Sequence, residues 1–398
     1  MTGTDKNLEG ALAIRIAAEG GRITGLDIAS SRPLGASGIL ENRAPAEALS
    51  ILPIVFSLCG NAQAVCGLAA VENAIGHAVS PAEQAARRVL VASEAVGQIL
   101  WRILLDIPTA IDKEPAFDAV RAVRAGLARV PRYLVPKDAW NRIGGTALTI
   151  NRKGLDALVE RIDGLIAREV FALEPGAPYP IADIDAFDFW MAEHDSVPSR
   201  LLRAVGARRL QAFGDAEISL MPDLDPAAIA GRLAADDDRA FTARPELDGT
   251  VYETGALARH RDHPLIAALA EEYGNGLMTR FAARIVDLAA WQEELRAAVA
   301  ALADEAVPPA PAIVDGTGVA AVETARGRLY HHVVIENGRV ARYRILAPTE
   351  WNFHPQGPLA AGLRAAKVRD PSRLREAAIL LVMTIDPCVV FDMSIAGA

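Results

Sequence analysis

Cysteine is scarce in this chain, with only Cys59, Cys66 and Cys388 among 398 residues. Three thiols cannot make the disulfide framework of a small secreted fold, and an odd, small number suits a reducing compartment, so the cytoplasm is the expected location. Aromatic residues are only 5% of the chain. Uninterrupted apolar stretches of about 18 residues are missing, so no membrane-spanning helix is expected; the run 377–384 is far too short. The first ten residues carry neither a secretory core nor a twin-arginine signal. Positive charge is not in excess either. Lys and Arg number 41 against 50 Asp and Glu, a net charge of -9, and no basic face suggests nucleic acid as a partner.

What remains is an ordered, helix-rich composition. Apolar residues make up 51% and charged residues 23%, well away from the disordered class. The length allows a large core, in one big domain or two ordinary ones. Abundant alanine and leucine favour helices.

The periodicities place elements along this chain. Alternation around Glu19-Gly20-Gly21 predicts a hairpin over about 11–30. A helix is expected from Pro45 to Phe56, leading into the cysteine segment. Ser80-Pro81-Ala82-Glu83 has a capping-box Ser and Glu with Pro at the first helical position. Val89, Val96, Ile99, Ile103 and Leu104 then recur at helical spacing up to Pro108. Leu155, Leu158, Ile162, Leu165 and Ile166 mark a further helix. A long one is expected over about 277–303, and several such helices imply a bundle. The proline-rich stretch Val307-Pro308-Pro309-Ala310-Pro311 is the clearest connector. Asn337-Gly338 between two alternating segments predicts a second hairpin. Asp370-Pro371 starts a last helix, over about 371–384, that delivers Cys388 into a loop. Asp236-Asp237-Asp238 reads as a solvated acidic loop.

Thiolates suit soft or borderline metals, and a cysteine cluster joined to a distant cysteine is one way to build such a site. The spacing Cys59-x6-Cys66 matches no zinc-finger or iron–sulfur rule. On spacing alone, inert core thiols are the commoner reading.

Five short segments change that balance. They are Ser57-Leu58-Cys59-Gly60-Asn61-Ala62-Gln63-Ala64-Val65-Cys66, Glu253-Thr254-Gly255-Ala256-Leu257-Ala258-Arg259, Glu323-Thr324-Ala325-Arg326-Gly327-Arg328-Leu329, Pro348-Thr349-Glu350-Trp351-Asn352 and Asp386-Pro387-Cys388. In this order they resemble motifs of the large subunit of nickel–iron hydrogenases, over essentially the whole chain. The resemblance implies a mainly α fold with small β-sheets (α+β). It would be a long-helix bundle in one domain over 1–398, with a hairpin at about 11–30, a helical core at about 45–305 and a C-terminal hairpin and helix at about 318–398. It further implies that Cys59 and Cys388 stand where the family has terminal nickel ligands. The bridging cysteines of the family fall at Ala62 and Phe391, which have no donor atom. The two motif histidines fall at Cys66 and Ser394. Aligning Ile39-Leu40-Glu41 puts the family's proton-transfer glutamate at Ser37, which cannot relay protons as a carboxylate does. Arg326, whose counterpart hangs over the metals and can donate toward cyanide ligands, is kept.

This pattern resembles the HupK/HoxV group of hydrogenase accessory proteins. The implied function is a non-catalytic scaffold or carrier for the iron–dicyanide–carbonyl unit, with nickel not expected. Cys59, Cys388 and, as a third thiol, Cys66 are the implied metal ligands, and Arg326 the implied cofactor-binding residue. The implied partners are hydrogenase maturation chaperones and the hydrogenase large-subunit precursor. A divergent hydrogenase or hydrogen sensor, and a metal-free structural subunit, are the alternatives. His331 and His332, adjacent on a strand, point to opposite faces and cannot chelate together. His354 reads as structural, and Glu253 and Arg259 as pairing residues or partner contacts. With no motif histidine before the end at Ala398, no C-terminal proteolysis is expected; a shortened mass for protein from the native host would contradict this.

Overall fold

In a computed structural model, residues 10–110, 114–136 and 139–397 are described. Residues 1–9, on which the reading of the N-terminus rests, lie outside them. Alternation near the start folds as expected. Strand β1 (Ala11–Glu19) pairs antiparallel with β2 (Arg22–Ser30) around Gly20-Gly21. Leu12, Ile14, Ile16 and Ala18 are buried on one face of β1, the period-two pattern of a half-buried strand.

Helix α1 (Pro45–Val55) and the segment leading through α2 (Gly60–Ala74) meet at a bend of 97°. Cys59 sits just after that bend, at the start of α2. Helix α3 (Pro81–Trp101) opens on Ser80, whose side chain accepts from the Glu83 amide. The second half of the expected capping box is absent. The Glu83 carboxylate instead accepts from Arg87 at 3.0 Å and from the Thr146 amide at 3.4 Å. Arg87 in turn pairs with Glu72, so a buried cation outcompetes the local cap. The helical run reaches Pro108 as expected, but residues Arg102–Asp106 widen into a π-turn.

Helix α4 (Arg152–Leu165) continues into a second π-turn, Ile166–Phe171. Helix α5 (Leu277–Ala300) is the longest, at 24 residues, about 36 Å. It packs along α3. Phe281, Ile285, Leu288, Val89, Val96 and Ile99 are buried in the same core. In the acidic run at 236–238, Asp237 and Asp238 are exposed in a loop as read, and only Asp236 departs. Asp236 is buried and caps the short helix Ala240–Ala243, accepting from the Phe241 and Thr242 amides.

A three-stranded antiparallel sheet follows: β3 (Gly316–Thr324), β4 (Gly327–Glu336) and β5 (Arg339–Leu346). The Asn337-Gly338 hairpin joins β4 and β5 as predicted. Strand β3 was not expected, because Gly316 and Gly318 weaken the strand signal. Their reason is close packing on α2: a Cβ on Gly318 would lie 2.1 Å from the Ala70 carbonyl oxygen. The short helix α6 (Pro348–Asn352) precedes α7 (Leu374–Ile385). The expected start of α7 at Pro371 is a 3-10 turn, with Asp370 accepting from the Ser372 amide.

Strand β6 (Val390–Ala396) was also not foreseen. It lies parallel to β1, from Ala11↔Val390 to Ala17↔Ala396, giving a sheet ordered β2-β1-β6. Besides the separate β3–β5 sheet of the C-terminal part, strands from the two chain ends share a sheet, and this pins the loop that carries Cys388. Among the described residues, no single helix is long and apolar enough to cross a membrane.

Candidate metal centre

The end of α7 and the start of α2 bring Cys388 and Cys59 to one cavity of about 50 Å³. Ser37, Leu58, Glu350 and Val389 also line it. Each sulfur meets one neutral donor. Thr349 Oγ1 donates to Cys388 Sγ at 3.0 Å, and Gln63 Nε2 to Cys59 Sγ at 3.6 Å. Burial pushes the Cys59 thiol up to about 12, and nearby Cys388 and Glu94 add to the rise. The Cys59 thiol is therefore protonated at neutral pH until a cation displaces its proton.

A hydrogen-bonded chain orients Gln63. Its Oε1 lies 2.8 Å from His331 Nε2, and His331 Nδ1 lies 2.8 Å from the Tyr343 hydroxyl. With an amide oxygen facing Nε2, that nitrogen donates and Nδ1 accepts. Burial pulls His331 down to about 3, so the ring is neutral. The folded pKa lies below the unfolded one. Stability is therefore complete above about pH 6.5 and is lost as pH falls toward 3, at about 1.4 kcal/mol per unit. His331→Gln should narrow the stability difference between pH 7 and pH 5 by about 2 kcal/mol in urea unfolding. An unchanged difference would place the titrating group elsewhere.

Behind the sulfurs lies a charged cluster built on Asp386, which takes a left-handed φ of 64° at the end of α7. Its buried carboxylate accepts from Arg102 Nε at 2.9 Å and Arg284 at 2.6 Å, with Arg326 Nε 3.6 Å away. Burial alone would raise this carboxyl; Arg102, Arg326 and Arg284 outweigh it and hold it well below the usual range. Burial opposes the Arg326 cation, but Asp386, then Cys388, Cys59 and Glu94, keep its pKa above the ordinary arginine value. Arg326 donates to Gln98 Oε1 at 2.6 Å, and Gln98 Nε2 donates to the Leu58 carbonyl beside Cys59. Arg326 Nε is buried without a hydrogen-bond partner.

The five resembling segments converge here. Asn352 exchanges hydrogen bonds with the Thr254 backbone at 2.9 Å and donates to the Arg326 carbonyl at 3.4 Å. Gly255 and Gly327, both at positive φ, let the two loops touch, since a Cβ on Gly255 would lie 2.9 Å from the Arg326 oxygen. Glu253 pairs with Arg280, and Arg259 with Asp287 and Glu323, matching their reading as pairing residues. His354 is buried and accepts from the Gln356 amide.

Cys66 is not brought to this place. It lies seven residues along α2, about 10 Å beyond Cys59 at helical rise. Its buried thiol faces the Ala320 and Leu329 carbonyls at 3.5 and 3.6 Å. Ala62 is buried in the core under the β3–β5 sheet, and Phe391 packs against the main core. Ser37 lines the cavity and donates to the Tyr343 carbonyl while accepting from Arg239. His332 is buried on the opposite face of β4 from His331, with no hydrogen-bond partner on either ring nitrogen. Among the described residues, no group of three or more His, Cys, Asp or Glu side chains is arranged to hold a metal ion.

Sequence reasoning assigned no role to Gln63, Glu94 or Gln98. Glu94 and Gln98 lie four apart on α3, on one face of an otherwise apolar stripe, and that polar pair was the available signal.

The nickel-dependent hydrogenase family model matches residues 232–391. Over its whole length the chain is 30% identical to the hydrogenase expression/formation protein HupK of Rhizobium leguminosarum, covering 96% of that protein. The chain belongs to the HupK/HoxV family of hydrogenase expression/formation proteins. Another member, HoxV of Cupriavidus necator, is 29% identical over 97% of this chain and 96% of its own. The HupK/HoxV fold here is that of hydrogenase large subunits. The nickel–iron–selenium hydrogenase of Desulfovibrio vulgaris Hildenborough superposes with a TM-score of 0.69 at 14% identity, covering 93% of this chain and 94% of its own.

Proposed function

We propose that this protein acts in hydrogenase maturation as a non-catalytic scaffold. Its cargo is an iron carrying cyanide and carbon monoxide, held by Cys59 and Cys388. The carrying observation is the pair of thiols in one cavity, with Glu350 on its wall engaged by Arg32 and, among the described residues, no three His, Cys, Asp or Glu side chains arranged to hold a metal. Two thiolates bind iron yet leave its other positions open, which suits a cargo that must depart. Room for roughly four water-sized groups accommodates a compact metal unit and no organic substrate. The Arg326 guanidinium, paired with Asp386 just behind the cavity and close enough to feel both Cys388 and Cys59, is the cation proposed to interact with cyanide.

Relatives named for hydrogenase expression and formation support this role. The partners that fit it are maturation chaperones and the hydrogenase large-subunit precursor, in the cytoplasm. The resemblance puts non-ligating Ala62 and Phe391 at the bridging positions, which argues against a thiolate-bridged nickel–iron centre. Protein purified anaerobically from cells with the maturation machinery should contain iron, no nickel, and show no hydrogen-dependent dye reduction. Dye reduction with nickel present would return the enzymatic reading.

A further inference from the structure

Cys59 is the N-cap residue of α2, with φ -132° and ψ 38°, yet its side chain makes no capping bond. An N-cap side chain ordinarily accepts from the second or third amide of its helix. With Gly60 first, these belong to Asn61 and Ala62. Both are already taken by another helix. Glu94 of α3 accepts from the Asn61 amide with Oε1 at 2.9 Å and from the Ala62 amide with Oε2 at 3.0 Å. The helix end that would draw a thiolate is thus occupied by the Glu94 carboxyl group. The Cys59 sulfur, denied these amides, meets Gln63 and the cavity it shares with Cys388.

We propose that Glu94 is a positioning residue. By capping α2 from outside, it keeps Cys59 Sγ turned toward Cys388, so that one cargo atom can be bound by both sulfurs. This deepens the proposed function and rests on its two-thiol site, though not on the identity of the cargo. Without Glu94, the two freed amides compete with the cargo for the same sulfur. Glu94→Gln keeps a single acceptor oxygen and the same shape, so it should lie between wild type and Glu94→Ala.

The test uses cadmium as the probe, added to the reduced full-length protein without oxygen. Thiolate-to-cadmium absorbance counts the sulfurs bound, and iodoacetamide protection with mass spectrometry identifies them. Wild type should bind cadmium through two thiolates, protecting Cys59 and Cys388. Glu94→Ala should bind at least about tenfold more weakly, the scale of losing a residue that orients a metal ligand, with Cys59 unprotected. Glu94→Gln should show a smaller loss and remain folded even where Glu94→Ala does not. A role in helix stability alone would lower the melting temperature and leave cadmium affinity of the folded protein unchanged in both variants, which overturns the proposal. So would a wild-type site that engages only one of these two sulfurs. Absence of iron–cyanide from the native protein would refute the cargo and leave the cadmium result standing.

Discussion

Cys59→Ala and Cys388→Ala, each co-produced with the maturation machinery, should lose bound iron and its cyanide and carbonyl infrared bands. Each variant removes one of the two thiolates lining the cavity, and the remaining sulfur cannot hold the unit through purification. Cys66→Ala is the informative control. Its thiol faces the Ala320 and Leu329 carbonyls, about two helical turns from the site. The bands should survive that change at wild-type positions. The three spectra together separate a two-thiol site from the three-thiol site suggested by the sequence. Loss of the bands in Cys66→Ala, or their retention in either of the others, would contradict the assignment.

Asp386→Asn should be among the most destabilising single changes in the chain, at about 3–5 kcal/mol. The side chain is fully buried and faces Arg102, Arg284 and Arg326. Arg102 has a second partner in Asp106, but Arg284 and Arg326 have Asp386 as their nearest carboxylate. Neutralising it leaves cations out of water without compensation, and burial then works against them. Asparagine tolerates the left-handed backbone at this position, so the loss reports charge rather than strain. The exposed pair of Asp118 and Arg121, at 90% and 80% side-chain exposure, sets the contrast. Asp118→Asn should change stability by less than about 0.5 kcal/mol. Denaturant midpoints for the two variants measure the difference; a cost below 1 kcal/mol at Asp386 would show that the cluster is not electrostatically held.

Much of the scaffold was legible because strong local signals agreed with tertiary structure. The Ser80-Pro81 start and the apolar stripe of α5 are examples. Strands β3 and β6 were not, for different reasons. The glycines of β3 are set by contact with α2, which is invisible locally. Strand β6 is completed only by β1, almost the whole chain away. Of the residues singled out by motif resemblance, Cys59 and Cys388 come to one cavity, and Arg326 sits in the charged cluster behind it. Cys66 was put forward because it stands at a motif histidine, but seven residues along a helix carry it about 10 Å from Cys59. Glu94 and Gln98 escaped notice because polar groups on a helix read as solvent-facing until a second helix end is placed against them.

The most direct test is the infrared spectrum of the wild-type protein, purified without oxygen from cells expressing the maturation machinery, alongside its iron content. The scaffold account predicts iron together with bands in both the cyanide and carbonyl stretching regions. Iron-free protein with neither band under those conditions would contradict it and favour a metal-free structural role.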